Sequence, residues 1–67
     1  MIQVVVNGAE KRLEQPLAVS ELILQMALAG KKIAVERNGE IVPRSRYADT
    51  RLADGDALEI VVAVGGG

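Results

Sequence analysis

The chain has 67 residues, which is enough for one small domain and too few for two. It contains no Cys and no His, which excludes disulfide bonds, the usual zinc ligands and catalysis by a thiolate or an imidazole of its own. With a net charge of −1 and a single Tyr as its only aromatic residue, it lacks the basic field and the stacking surfaces that nucleic-acid binding requires. Phe and Trp are absent, so the core is expected to be aliphatic. No apolar run approaches the roughly 20 residues needed to span a bilayer, and no secretory leader is recognisable, which predicts a cytoplasmic protein.

The first 14 residues predict a β-hairpin. Residues 1–6 are rich in β-branched side chains, which favour a strand. Asn7-Gly8 follows, and this dipeptide is typical of two-residue hairpin turns because it tolerates positive φ. Residues 9–14 are expected to return antiparallel with Leu13 turned inward, and Pro16 ends the strand because it lacks an amide proton.

The next segment has the periodicity of an amphipathic helix. Its apolar stripe consists of Val19, Leu22, Ile23, Met26 and Ala27. Gly30 is expected to end the helix in a left-handed conformation, with Lys31 and Lys32 near the negative end of the helix dipole. The start is less well marked, since neither Leu17 nor Ala18 carries a side-chain oxygen for capping.

A second hairpin follows the helix. Residues 33–37 alternate in the manner of a strand, Asn38-Gly39 repeats the turn chemistry, and residues 40–42 are expected to pair back before Pro43.

The remaining sequence predicts a loop, a turn and a last strand. Residues 44–50 are polar and show no period, and Asp54-Gly55-Asp56 indicates a turn. Residues 57–64 form the longest β-like run, which favours a central position in the sheet. Its two faces are Leu58, Ile60 and Val62 on one side and Glu59, Val61 and Ala63 on the other. The order of elements predicts an α+β fold with one helix packed across one face of a mixed, four- to five-stranded sheet.

Three stretches carry a resemblance to a known family: residues 38–45 (NGEIVPRS), residues 54–61 (DGDALEIV) and the run Gly65-Gly66-Gly67. Together they resemble the ThiS family of sulfur carriers of thiamin biosynthesis, and the likeness spans nearly the whole chain. NGEIVPRS is the specific part, because a glycine tail also occurs in ubiquitin, in molybdopterin-synthase small subunits and in linkers. The resemblance implies a ubiquitin-like β-grasp fold over residues 1–64 with a flexible glycine tail at 65–67. The chain departs from the family pattern at Ala18, where a hydroxyl N-cap is expected.

The same resemblance implies that the tail carries the chemistry. An E1-like enzyme would use ATP to adenylate the carboxylate of Gly67, and a sulfur donor such as a cysteine desulfurase would convert it to a thiocarboxylate. Thiazole synthase would then receive the sulfur. Gly65 and Gly66 would thread into the active sites of these partners, where residues without Cβ permit close approach. The chain itself is expected to be a carrier with no catalytic residue, no metal and no permanently bound cofactor.

The sheet face away from the helix is the predicted docking surface for these partners, since contiguous exposed apolar surface marks interaction sites. Its residues are expected to be Ala34, Glu36, Glu59, Val61 and Ala63. The alternative is an ordinary solvated sheet face that binds no partner.

The other charged residues of interest are interpreted as surface or turn residues. Arg44, Arg46 and Arg51 are interpreted as solvated surface that could steer an acidic partner. Asp54 and Asp56 fit turn chemistry better than a metal site, because Gly55 lies between them and no further ligands are near in sequence.

Two alternative functions remain open. The chain could carry sulfur for another pathway, such as molybdopterin synthesis, with the same tail chemistry and a different receiving enzyme. It could also be a ubiquitin-like binding module whose tail is never modified.

Overall fold

The computed structural model describes residues 1–63. Its elements, in chain order, are the strands β1 (Ile2–Val6) and β2 (Ala9–Leu13), the helix α1 (Val19–Gln25), the strands β3 (Ile33–Arg37) and β4 (Glu40–Val42), a 3-10 turn at Arg44–Arg46 and the strand β5 (Ala57–Val62). The predicted order of strands and helix is therefore confirmed. Within the described residues, no helix is both long and apolar enough to cross a membrane.

The five strands form one mixed sheet in the order β2-β1-β5-β3-β4. The last strand, β5, is central: it runs parallel to β1 and antiparallel to β3. This confirms the prediction from its long apolar run. The helix covers one face of the sheet, which is the two-layer β-grasp arrangement that the sequence predicts.

The core between helix and sheet is aliphatic, as the composition predicts. Its buried members are Val4, Val6, Leu13, Leu17, Val19, Leu22, Ile23, Val35, Val42, Leu52, Leu58 and Ile60. Leu22 and Leu58 are almost fully buried from opposite layers, and truncating either to alanine would cost about 2–5 kcal/mol of stability. The one aromatic residue, Tyr47, only packs against the margin of this core.

Both Asn-Gly dipeptides form the predicted two-residue turns. Asn7 and Gly8 have φ values of 52° and 83°, and Asn38 and Gly39 have values of 52° and 86°. Two successive left-handed residues are what a type I′ hairpin turn needs. The turns therefore fix the register of both hairpins, with Val6 opposite Ala9 and Arg37 opposite Glu40.

The helix begins without a capping side chain, because Ala18 occupies the N-cap. Glu21 compensates in part, since its Oε1 accepts a hydrogen bond from the Ala18 N–H at 3.0 Å. The first two helical N–H groups are bound by the loop before β5: Val19 donates to the Thr50 carbonyl at 2.8 Å and Ser20 to the Tyr47 carbonyl at 3.1 Å. Carbonyl oxygens of a distant loop thus accept hydrogen bonds from the first helical N–H groups, in place of the capping hydroxyl that the sequence lacks.

The predicted end of the helix at Gly30 is wrong. The helix ends at Gln25 with Met26 as C-cap, and the left-handed residue that follows is Ala27, with a φ of 60°. The Leu28 N–H donates to the Ile23 carbonyl and the Ala27 N–H donates to the Leu24 carbonyl, both at 3.0 Å. This is the pair of hydrogen bonds of a Schellman motif.

The physical reason for the early end is the packing of Leu28. By reversing the chain at Ala27, the motif lets Leu28 pack against the core, which a continuous helix to Gly30 would not. Ala27 itself is exposed, so its place on the predicted apolar stripe is also wrong, and Lys31 and Lys32 do not flank the helix end. Gly30 does have a positive φ of 83°, but it belongs to a separate turn that the Lys31 N–H closes on the Leu28 carbonyl.

Candidate partner-binding surface at the end of the central strand

The end of β5 is held against β3 up to the last described residue. Ile33 lies opposite Val62, and the Ala63 N–H donates to the Lys32 carbonyl at 2.8 Å. The tail residues Gly65, Gly66 and Gly67 lie outside the described residues, as does the predicted domain boundary at residue 64. The roles expected for them therefore stay predictions.

Four of the residues predicted for the docking surface lie on the sheet face away from the helix, and the fifth, Ala63, directly follows β5. Pairing places Ala34 opposite Val61 and Glu36 opposite Glu59. Glu36 is half-buried and the other four, including Ala63, are exposed. Val61 stands out, because 60% of this large apolar side chain remains accessible. The structure thus confirms the face, and its use in docking stays a prediction.

Sequence reasoning missed one member of this surface, Ile41. It lies opposite Glu36 on the edge strand β4 and is 66% exposed. The signal was present in the sequence, since a two-residue turn at Asn38-Gly39 places residue 40 opposite 37 and therefore residue 41 opposite 36. Ile41, Val61 and Ala34 give the surface an apolar part on β4, β5 and β3.

The centre of the surface carries like charges. Glu36 and Glu59 face each other directly across β3 and β5, and such pairs repel each other. A basic side chain of a partner placed between them would relieve this repulsion. The outer face therefore combines an apolar part with an acidic pair, and from here on we call Ala34, Glu36, Ile41, Glu59, Val61 and Ala63 the outer surface.

Two asparagine side chains hold β5 in place, and the sequence did not indicate this role. β1 pairs with β5 only at Val5–Ala57 and Val6–Leu58. Beyond that point the Asn7 side chain, and no longer the backbone of β1, bonds to the backbone of β5. Its Nδ2 donates to the Ile60 carbonyl at 3.0 Å, and its Oδ1 accepts from the Ile60 N–H at 2.8 Å. Asn38 acts similarly at the start of β5, where its Oδ1 accepts from the Ala57 N–H at 2.9 Å.

The Asp54-Gly55-Asp56 segment is a turn, as predicted. The Asp56 N–H donates to the Ala53 carbonyl at 3.1 Å, and Gly55 has a φ of 89°. Asp54 closes the turn onto β1, since its Oδ1 accepts from the Gln3 N–H at 2.7 Å.

The Asp56 side chain has a structural role that the sequence did not reveal, because it is buried and connects three segments. Its carboxylate accepts hydrogen bonds from the Ala53 N–H and Arg37 Nε, both at 2.8 Å, and from Asn38 Nδ2 at 3.1 Å. Burial by itself raises the pKa of Asp56, but these hydrogen bonds and the charge of Arg37 outweigh it. The pKa of Asp56 therefore lies below its ordinary value of 3.8.

Comparison with known proteins finds similarity to proteins named ThiS. The chain is 33% identical to the thiamine biosynthesis protein ThiS of Geobacter metallireducens, whose crystal structure superposes with a TM-score of 0.83 over 98% of this chain and 100% of that one. The sulfur carrier protein ThiS of Bacillus subtilis is 43% identical over 49 residues, which are 73% of this chain and 74% of that protein.

A thiazole synthase of Paramagnetospirillum magneticum is 44% identical over 66 residues, which are 98% of this chain; the chain spans only 20% of that protein's length. The family model of the ThiS family matches residues 3–67. The chain belongs to the ThiS family.

Proposed function

We propose that this chain is a sulfur carrier protein of thiamin biosynthesis and that it acts as a substrate of its partner enzymes, not as a catalyst. The observation that carries the proposal is the extent of the family match, which covers residues 3–67 and so includes Gly65, Gly66 and Gly67. The absence of Cys and His from the sequence supports it, because sulfur must then be held elsewhere than on a thiol of this chain.

The proposed chemistry takes place at the carboxylate of Gly67. A carboxylate is a poor electrophile, so an E1-like enzyme first transfers the adenylyl group of ATP onto it and releases pyrophosphate. The terminal sulfur of a persulfide, carried by a donor such as a cysteine desulfurase, then attacks the carbonyl carbon and expels AMP, which leaves an acyl disulfide between this chain and the donor. A thiol then attacks the donor's sulfur in that bond, forms a disulfide with it and so reduces the acyl disulfide, which releases the thiocarboxylate. ATP is thus consumed by the partner and is not a cofactor of this chain.

Thiazole synthase is the proposed receiver of the sulfur. The support is that two relatives named thiazole synthase, from Paramagnetospirillum magneticum and Magnetococcus marinus, contain a segment similar to nearly all of this chain within a much longer protein. Action beside such an enzyme would place the chain in the cytoplasm, which stays a prediction.

The outer surface is the proposed docking site. Its apolar part, with Ile41 and Val61 more than half exposed, would lose contact with water in a complex. Its acidic pair, Glu36 and Glu59, would favour a partner that presents a basic side chain at that point. The surface continues along β5 and past its end to Ala63, so a docked enzyme would lie next to the residues that lead into the tail.

The proposed role of the tail is tested by two variants, one that lengthens it and one that adds a side chain to a glycine. Adding one residue after Gly67 would displace the carboxylate by roughly 3.5 Å, which is large compared with the tolerance of positioned reacting groups. Gly66→Val would obstruct a narrow active-site channel by its branched side chain. Each variant is incubated with ATP, the E1-like enzyme, a sulfur donor and a thiol reductant, and intact mass shows whether sulfur has replaced one oxygen. We expect both variants to lose this product.

The matched control carries one extra residue before Met1, whose side chain is 81% exposed, and it should be charged normally. Equal charging of the chain extended after Gly67 would contradict the proposal. Binding of the E1-like enzyme without any change in mass would instead favour a binding module with an unmodified tail.

A further inference from the structure

A groove of about 430 Å³ lies on the helix side of the sheet, opposite to the outer surface. It runs between the end of α1, the turn before β3 and the 3-10 turn. The residues that define it here are Leu24, Leu28, Lys31, Ile33, Arg44 and Tyr47, which we call the helix-side groove. The groove is open to solvent, which suits a segment of another protein better than a small molecule, since small ligands need most of their surface buried.

The lining of the groove is apolar at its centre. Leu28, Ile33 and Tyr47 pack against the core yet stay partly exposed, and Leu24 beside them is 65% exposed. Nothing in the described structure covers these side chains. An aliphatic side chain placed among them would remove apolar surface of both molecules from water.

The rim of the groove is positively charged. Lys31 and Arg44 are both exposed, and Arg44 Nη2 makes a long hydrogen bond of 3.5 Å to the Lys31 carbonyl, which holds the guanidinium at the rim. Within residues 1–63 neither cation forms an ion pair, and no acidic side chain lines the groove. Four other, smaller concavities are each lined by at least one Asp or Glu. The helix-side groove differs from these four in its charge.

We propose that the helix-side groove binds a short segment of a partner protein that carries a large aliphatic side chain next to a carboxylate. The aliphatic side chain packs among Leu24, Leu28 and Ile33, and the carboxylate pairs with Lys31 and Arg44. Because the groove and the outer surface lie on opposite faces of the sheet, this partner binds without blocking the outer surface. The proposal does not depend on the chemistry of the tail.

The probe for the groove is a capped hexapeptide composed of leucine and aspartate, the aspartate peptide. The isotopically labelled protein is titrated with this peptide and followed by NMR. We expect saturable shifts at the amides of residues 28–33 and Tyr47, and none at Ala34, Glu59 or Val61. A peptide with lysine in place of aspartate, and one with serine in place of leucine, should both bind more weakly.

Charge reversal in the groove supplies the second arm. The double variant Lys31→Glu, Arg44→Glu should weaken binding of the aspartate peptide by about tenfold. It removes the two exposed ion pairs between peptide and groove and adds repulsion between like charges. The same variant should restore binding of the lysine peptide. Arg12→Glu, at an exposed position on β2, is the matched control and should change neither affinity.

Absence of saturable shifts, shifts centred on the outer surface, or equal binding of the aspartate and lysine peptides would overturn the proposal. A variant that ends at Ala63 tests whether the chain's own last residues occupy the groove. If removal of residues 64–67 shifted the groove amides and raised peptide affinity, the occupant would be the chain itself and not a partner.

Discussion

Asp56 connects the loop before β5 with the turn after β3, and its ionisation contributes to the stability of the fold. Its folded-state pKa lies below the ordinary value of 3.8. A carboxylate with a depressed pKa stabilises the folded state fully above its unfolded-state pKa, and that stabilisation is lost as pH falls through the lower folded-state value. The free energy of unfolding is therefore expected to fall as pH decreases below about 4.

Asp56→Asn tests this contribution. The variant removes the charged acceptor for Arg37 Nε and should lower the free energy of unfolding at pH 7 by about 2 kcal/mol. It should also reduce the loss of stability on acidification. Urea denaturation at pH 7 and at pH 3 measures both effects, with the exposed Asp49→Asn as control. An unchanged pH dependence in Asp56→Asn would contradict the assignment.

Ala27 is the residue at which backbone strain is expected. It is left-handed, with a φ of 60°, at the position of a Schellman motif where glycine is preferred. Ala27→Gly should therefore raise the free energy of unfolding, by about 1 kcal/mol, despite the greater freedom that glycine gives the unfolded chain. The midpoint of urea denaturation measures it.

Ala29→Gly is the matched control for this strain. Ala29 is exposed in the same loop and has no positive φ, so only the entropic cost of glycine remains, and stability should fall by about 0.4–1 kcal/mol. Similar losses in both variants would show that Ala27 is not strained.

At the level of elements, β5 depends on side chains where its neighbouring strand ends. The Ile60 N–H and carbonyl are both bound by the Asn7 side chain, and the Ala57 N–H is bound by the Asn38 side chain. Asn7→Gly keeps the left-handed turn and removes the bonds to Ile60. Amide hydrogen exchange at Ile60 should then accelerate, because its N–H loses its acceptor while β5 stays paired with β3.

Asn38→Gly is the reciprocal control, since it should accelerate exchange at Ala57 and leave Ile60 less affected. If each variant accelerated exchange equally at both amides, the two side chains would act only through general stability and not as local restraints on β5.

At the level of the whole molecule, the outer surface should tolerate charge in the free protein and lose partner binding when charge is added. Val61→Asp places a carboxylate on a side chain that is 60% exposed and lies opposite Ala34. In a complex this charge must be desolvated. Affinity for the E1-like enzyme or for thiazole synthase should fall, while the free energy of unfolding changes by no more than about 1 kcal/mol.

Ala57→Asp is the matched control, because Ala57 is exposed at the opposite end of the same strand. It should alter binding less than Val61→Asp, as measured by titration calorimetry with each enzyme. Equal effects of the two variants would show that binding does not centre on the end of β5 nearest the tail.

The local sequence determined most of the fold of this protein. The Asn-Gly turns at 7–8 and 38–39 set both hairpin registers, and alternation along residues 58–61 assigned Leu58 and Ile60 to the core and Glu59 and Val61 to the outer face. Such features depend on neighbours a few residues apart, so periodicity and turn chemistry are sufficient to predict them.

Only the tertiary structure decided how the ends of the elements are satisfied. The helix starts at Val19 because loop carbonyls some 30 residues later bind its first N–H groups, and it ends early because Leu28 packs against the core. Asn7 binds Ile60, 53 residues away. Hydrogen-bond donors and acceptors must find partners wherever the folded chain brings them together, and no local pattern records which distant residue that is.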